Sequence, residues 1–464
     1  MNHEILFAPH AGRRLRAGIV GVGEFGASFV FRTARAQGLS VEAAADPDTG
    51  RARAAARRAG IAAERIHVCG DRATALDAHA RGAFVVVEDV ELLVQLPLDF
   101  VVEATGDPEA AARSALAALA EGKHVAMVTK EADCVAGPIL QAKATAAGLI
   151  YTPVDGDQPS LMVALVGWAR MLGLEIVCAG KSGEYDFVLD AAAGTVTTTA
   201  SGAALSVPEF ASLWSAPAAT LRQCVADRAR RLSQLATATV PDYCELTIVA
   251  NATGLVPDRP TLHAPIARTL ELPDLFRPRA AGGLLAGDGR VDLFVCLRRP
   301  DELSFAGGVF VVVRCDDAPT WQVLRAKGIP VSEDGGTALL HNPVHLLGIE
   351  APMSLLNAGL LHAPAAALLP RYDLVAAAHC ALAAGTRLTI GARHGIDGLA
   401  PLIVEAAPLA DDSPLPYYMA AGCRLRADVP AQTVITCAMV EPPTDSTLWR
   451  LRAEQDARFF GNAR

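Results

Sequence analysis

Along the first third of the chain the apolar positions alternate between two rhythms. Short unbroken runs give way to stretches with 3.6-residue spacing, then to further runs. Strands buried on both faces of a parallel sheet read as such runs, and the helices between them as amphipathic stripes. The runs Ala17–Val20, Val41–Ala45, Phe84–Val87, Leu98–Gly106, His124–Val128 and Leu149–Pro153 predict successive strands. A lead-in helix with a basic end (Arg13, Arg14, Arg16) is predicted over residues 2–16, and others over 49–59, 108–122 and 137–147. The helix from Pro108 opens on a proline and closes on Gly122, the usual asymmetry of helix ends.

Past Pro159 the rhythm loosens. The spacing predicts a helix over 160–173, then a strand Glu175–Ala179 entering a turn at Gly180-Lys181-Ser182-Gly183. An Ala/Thr/Ser/Gly-rich loop or weak strand spans 191–206, and helical spacing covers 213–238. Apolar runs at Leu246–Ala250, Val291–Arg298 and Gly308–Arg314 predict strands. From Tyr372 short strands separated by Gly, Pro and Asp turns predict a small all-β module, closed by a helix over 446–459. The expected class is α/β, with a doubly wound Rossmann sheet over 1–158 and an α+β catalytic and oligomerisation domain over 159–371. The β module at 372–445 and a C-terminal helix at 446–464 complete it.

The first strand runs into Gly21-Val22-Gly23-Glu24-Phe25-Gly26, a G-x-G-x-x-G turn opening a helix. Gly21 permits the tight turn, Gly23 lets backbone amides approach a pyrophosphate, and Gly26 lets helix and strand pack closely. The pyrophosphate would rest on unpaired N–H groups at the helix start, including those of Glu24 and Phe25. Asp46 ends the second strand twenty residues past Gly26, where an acid bonds the adenosine ribose hydroxyls. Alone the glycine pattern is weak; inside six alternating strands and helices it predicts dinucleotide binding.

Composition removes several classes. The net charge of −9 leaves no basic stripe for nucleic acid. The ten cysteines are scattered with no C-x-x-C pair, so neither a zinc ribbon nor a disulfide framework is expected. No signal peptide or membrane span is predicted, and the expected setting is cytoplasmic, with a small-molecule substrate and neither a nucleic-acid nor a membrane partner.

The segments EATG (103–106) and GKHVAMVTKEAD (122–133) resemble homoserine dehydrogenases and their relatives. GDQPS (156–160), AGKSG (179–183), NATGLVPD (251–258), GGVFVVV (307–313), VHL (344–346) and LRAEQDA (451–457) are similar to the 1-deoxy-D-xylulose 5-phosphate reductoisomerase-like branch. That branch carries a C-terminal SAF (β-clip) module, so the resemblance implies one at 372–445 and, by analogy with such modules, a homo-oligomer. It also implies NAD(P)-dependent hydride transfer on a small hydroxylated substrate, phosphorylated or not. A homoserine dehydrogenase-type enzyme and a non-catalytic NAD-binding sensor are the alternatives.

Candidate chemistry follows from both readings. Thr105 and Gly106 should flank the nicotinamide from the fourth predicted strand tip. Lys130 ends the fifth, where related dehydrogenases carry an active-site lysine, and a lowered pKa there would suit proton transfer. Lys181 and Ser182 on their glycine-flanked turn make an anion or carbonyl clamp, with Lys181 the stronger catalytic candidate. Asp155 and Asp157 resemble the D-x-E metal site of true reductoisomerases and could share Mg²⁺ or Mn²⁺; Asp157 could equally cap a helix. Asn251, Thr253 and Asp258 form a candidate substrate wall, and His345 a candidate acid/base or substrate contact. Asp46 beside a 2′-phosphate would cost about 1 to 4 kcal/mol, favouring NAD(H) over NADP(H), although Arg51 and Arg53 stand one helix turn on.

Overall fold

In the computed structural model, which describes residues 2–461, the strands form two large sheets and two two-stranded ones. A short helix α1 (His3–Phe7) precedes β1 (Leu15–Val20), α2 (Glu24–Thr33), β2 (Leu39–Ala45) and α3 (Thr49–Arg58). Next come β3 (Ile66–Val68), α4 (Arg72–Ala80), β4 (Phe84–Val87), α5 (Val90–Leu93), β5 (Phe100–Glu103) and α6 (Pro108–Ala120). Then follow β6 (His124–Met127), α7 (Lys130–Ala146), β7 (Tyr151–Pro153) and α8 (Gln158–Met171). The seven strands form a parallel sheet in the order β3-β4-β2-β1-β5-β6-β7, a Rossmann-type arrangement with helices on both faces. Its topological switch lies at β1, where ligand crevices open in such sheets.

Three differences from the sequence reading have simple causes. β3 is an extra strand of three residues at the sheet edge, too short to register as a run. The lead-in helix stops at Phe7 and is followed by a 3-10 turn, so Arg13 and Arg14 precede β1 as irregular chain and Arg16 lies within it. α7 begins at Lys130 rather than near Gly137, and runs through Pro138. A mid-helix proline removes a backbone donor and normally breaks the helix. Here Gln455 repairs the ladder from outside, accepting from the Ile139 amide at 3.2 Å and donating to the Val135 carbonyl at 3.0 Å.

The second sheet is built from β8 (Ile176–Ser182), β9 (Phe187–Asp190), β10 (Thr195–Thr198) and β11 (Ala204–Ser206). After α9 (Ala218–Arg231) and α10 (Val240–Thr253) come the two-residue β12 (Val256–Pro257) and β13 (Ile266–Ala267) and the short helix α11 (Leu272–Leu275). β14 (Arg290–Arg298), β15 (Val309–Arg314), α12 (Ala318–Ala326) and β16 (Thr337–Asn342) complete the sheet. It is mixed, in the order β11-β10-β9-β14-β8-β15-β16. The low-complexity stretch forms the hairpin β10–β11.

The run Leu246–Ala250, expected as a strand, is the middle of helix α10. Every residue from Pro241 to Asn251 is buried. A helix covered on all sides shows no apolar stripe, so its sequence mimics a buried strand. Thr239 and Asp242 close a capping box at its start, with Pro241 in the first turn.

Helix α13 (Ala351–Leu361) returns to the first sheet and packs on Leu15 and Phe100. β17 (Tyr372–Ala378) pairs with β18 (Leu399–Glu405), and β19 (Arg424–Leu425) with β20 (Val440–Glu441). The last helix, α14 (Thr447–Phe459), lies against α6 and α7. Arg452 on α14 is buried, bidentate to Asp373 of β17 at 2.7 and 2.8 Å, and bonded to Asp456 at 2.8 Å. Removing one partner of a buried pair leaves the other charge uncompensated. Asp373→Ala is therefore expected to destabilise the chain by about 3 kcal/mol in urea unfolding, whereas the exposed pair Arg81–Asp77 contributes far less.

Candidate active site

The glycine turn after β1 has the geometry its sequence requires. Gly21 has φ +87°, and a Cβ there would lie 2.5 Å from the Ala104 carbonyl oxygen. A Cβ on Gly26 would overlap the Gly21 carbonyl oxygen, so α2 packs against the strand only because that side chain is absent. Gly23, by contrast, faces open space with no atom within 4 Å of an added Cβ. It is the N-cap of α2, and no side chain satisfies the first-turn amides. Free donors at the positive helix end beside a bare glycine fit a pyrophosphate. Glu24 is exposed at this rim, while the Phe25 ring is buried in the core, so only its backbone is available there.

Asp46 follows β2 and is 5% exposed. Its carboxylate accepts from the Val22 amide at 2.7 Å and the Asp48 amide at 2.9 Å, tying the glycine turn to the end of the neighbouring strand. Asp48 caps α3, and Arg51 lies 4.0 Å from that capping carboxylate.

At the tip of β5, Glu103 is sealed in the core and accepts from the Thr105 amide (3.0 Å) and hydroxyl (2.6 Å). Burial pushes its carboxyl up to about 7, against these hydrogen bonds. Gly106, at φ +72°, donates its amide to the Thr129 hydroxyl at 3.0 Å, joining the β5 and β6 tips. Thr105 and Gly106 thus stand at the carboxyl edge of the sheet, on the strand next to β1.

The seam between the sheets holds a buried network of charge. Lys130, the first residue of α7, pairs with Asp157 at 3.4 Å and with Glu245 of α10. Lys181 of β8 pairs with the other Glu245 oxygen, lies 2.7 Å from Asp242, and donates to Gln158. Asp242 and Glu245 are three apart on α10 and share one face. Burial pulls both ammonium groups down, but the carboxylates prevail and hold both well above the ordinary lysine value. Neither lysine is a neutral base near pH 7, contrary to the lowered pKa expected for Lys130. Their environments differ in access: the Lys130 side chain is 17% exposed, that of Lys181 0%. Lys130 lines a small cavity with Asp133, Asp157 and Ser160. Asp133 bonds the Tyr151 hydroxyl, and burial pushes its carboxyl up to about 7.

Several expected roles change. Lys181 and Ser182 lie within strand β8, not on a turn, and both are buried. Lys181 contacts Glu245, Asp242 and Gln158 there. The Ser182 hydroxyl points into the core without a partner. The Asn251 side chain bonds the backbone of Arg371 and Tyr372, clamping α10 to the start of β17. Thr253 bonds back to Val249 in the last turn of α10, and Asp258 binds His263, Arg279 and Arg290. His345 packs on Gly307 beside Gln158, at the rim of the network.

The metal pair is not assembled. Asp157 caps α8 and pairs with Lys130, whereas Asp155 is half-buried beside Ser354 and Glu350. Among the described residues no group of three His, Cys, Asp or Glu side chains is disposed to hold a metal ion. Lysine ammonium groups occupy the space between the carboxylates, which leaves Mg²⁺ or Mn²⁺ no fit there.

Glu245, Asp242 and Asp133 were missed by sequence reasoning. The T-x-x-D capping box at Thr239–Asp242 was the available signal, because it turns 240–253 into a helix and puts Glu245 one turn in.

Residues 228–351 match the family model described as the oxidoreductase DRL, catalytic domain. That segment carries Asp242 and Glu245 and covers about a quarter of the chain. The 1-deoxy-D-xylulose 5-phosphate reductoisomerase of Thermus thermophilus is 38% identical over 69 residues, 15% of this chain and 19% of that protein. The reductoisomerase of Anaeromyxobacter dehalogenans is 33% identical over 85 residues, 18% of this chain and 22% of that protein. The chain thus spans about a fifth of the length of the curated relatives it matches. A probable dehydrogenase from Thermotoga maritima superposes with a TM-score of 0.37 at 11% identity, covering 75% of this chain and 90% of that one, too loosely to define a shared fold.

Glu103 makes stability depend on pH. Its folded pKa of about 7 exceeds the ordinary 4.5, so between these values the folded chain keeps a proton that the unfolded chain releases. Its contribution is favourable at low pH and is lost as pH rises through that window. Glu103→Gln is expected to match wild type near the acid end and to exceed it above the window by on the order of 3 kcal/mol, read from urea unfolding across pH.

Proposed function

We propose that the chain is a nicotinamide-dependent oxidoreductase, reductoisomerase-like, that interconverts an alcohol and a carbonyl on a small hydroxylated substrate. The observation that carries this is Lys130. It is a permanently charged, partly accessible ammonium group at the β6–α7 junction, fixed by Asp157 and Glu245 beside the strand tips next to the glycine turn. The match of residues 228–351 to an oxidoreductase catalytic domain supports the class. The short reductoisomerase matches support a polyhydroxylated, phosphorylated or unphosphorylated, substrate.

The open face at Gly23, the uncapped amides of α2 and the tips at Thr105 and Gly106 would hold the dinucleotide. When bound, that group donates or takes the hydride. The chain's own residues handle the oxygen and the proton. Lys130 donates a hydrogen bond to the substrate oxygen and stabilises negative charge as it develops, an interaction worth most in a water-poor seam. Asp157 and Glu245 keep that donor charged and aimed. Asp133, in the same cavity and titrating near neutrality, is suited to pass the proton onward. Lys181 is a positioning residue that holds Glu245 in register.

Asp46 and Asp48, both just past β2, favour NAD(H), since a 2′-phosphate beside a carboxylate costs about 1 to 4 kcal/mol. With no fit for a divalent ion, plain hydride transfer is favoured over metal-assisted isomerisation. The closing strands, read through the segments quoted above, would be the SAF-type module of such enzymes.

The test is a screen of NAD⁺ and NADP⁺ against polyols and their phosphates, following NADH formation. Lys130→Met is expected to lower kcat/KM about a thousandfold while calorimetric NADH affinity stays within about twofold; equal loss of cofactor binding would count against the role given to Lys130. NAD⁺ is expected to exceed NADP⁺ at least about tenfold in kcat/KM, and chelator treatment to leave turnover intact.

A further inference from the structure

Loop 391–395 of the C-terminal strands reaches out of its own module toward the first sheet. Its base is pinned by the Ile390–Ile396 bridge, by the Gly391 amide on the Gly395 carbonyl (2.7 Å), and by the Tyr417 hydroxyl accepting from the Ile396 amide (2.8 Å). Its tip is strained. Arg393 and His394 have φ +55° and +57°, two successive non-glycine residues in the left-handed region. Such residues cost about 1 kcal/mol or more each, and they persist where the surroundings hold them. The holding contacts lie outside the module. His394 Nδ1 is 3.0 Å from a carboxylate oxygen of the buried Glu131 on α7, an ion pair and not an aligned hydrogen bond. Its ring lies over Gly106, where an added Cβ would be 3.1 Å from Cε1. Arg393 stacks its guanidinium 5.5 Å from the Tyr185 ring, which follows β8 of the second sheet. The tip therefore bridges both sheets across the mouth of their seam, and the His394 side chain remains 44% exposed toward it.

We propose that His394 is a cofactor-site residue supplied by the C-terminal module: its ion pair with Glu131 fastens the loop over the Gly106 strand tip and retains a bound nicotinamide dinucleotide. The proposal rests on the oxidoreductase reading above. The groups facing the imidazole are Glu131 and Lys130 of α7 and the Gly106 backbone. The Glu131 carboxylate beside it raises the imidazole above its ordinary 6.5, against the effect of burial. The sign follows: the pair is complete below the raised value and is lost as pH rises through it.

The test is stopped-flow release of NADH from the full chain between roughly pH 6 and pH 9. Release from wild type is expected to quicken with rising pH by about threefold. His394→Ala and His394→Gln are expected to release NADH fast and at a rate independent of pH, with unchanged circular dichroism. If the variants keep the pH dependence of wild type, or slow release persists in both, the proposal is overturned. A wild-type chain that binds neither NADH nor NADPH overturns the oxidoreductase reading first, and a folded, cofactor-binding variant separates that failure from this one.

Discussion

Glu245 is the constraint on which the seam depends. One fully buried carboxylate is shared between Lys130, from the first sheet, and Lys181, from the second. A single buried charge of either sign would be prohibitively costly, and two lysines meeting without a carboxylate between them would repel. The alternation Asp157–Lys130–Glu245–Lys181–Asp242 removes both problems at once. It fixes α7, α10 and β8 relative to one another through directional bonds, where apolar packing alone would tolerate sliding. The accessible end of the chain of charge is Lys130 and the sealed end is Lys181, so the order of burial assigns one to contact and the other to support.

How much of this could be read from the residues depended on whether each signal was local. The Rossmann sheet was legible because its strands are short apolar runs and because Gly21 and Gly26 sit where a side chain would meet backbone. Asp46 was legible by spacing alone, although its carboxylate turns out to brace the glycine turn through Val22. The network was only half legible. Lys130, Asp157 and Lys181 were singled out, but Glu245, which joins them, lies in a helix buried on every side whose composition imitates a strand. The strand expected before Asn251 failed for the same reason, and on the buried helix that side chain bonds the backbone of Arg371 and Tyr372. Gln158 lay inside a recognisable segment without any sign that it would meet Lys181.

The C-terminal quarter contributes more than a cover. Arg452, Gln455 and Asp456, inside the segment LRAEQDA, tie α14 to β17 and to α7. Loop 391–395 belongs to the same module but faces the opposite problem, with strain held at its tip by residues of two other regions.

The repair of α7 by Gln455 also carries a consequence for biosynthesis. The donor and acceptor left bare beside Pro138 are met by a side chain 316 residues later, and α13 reaches the outer face of the same sheet only after residue 351. N-terminal units usually fold first as a chain is made. Here the first sheet has to wait, with an interrupted helix and an uncovered apolar face, until the segments carrying α13 and Gln455 have been made. Its completion is coupled to the arrival of α14, so a product cut short before Gln455 would present an unfinished sheet to the quality-control machinery of the cell.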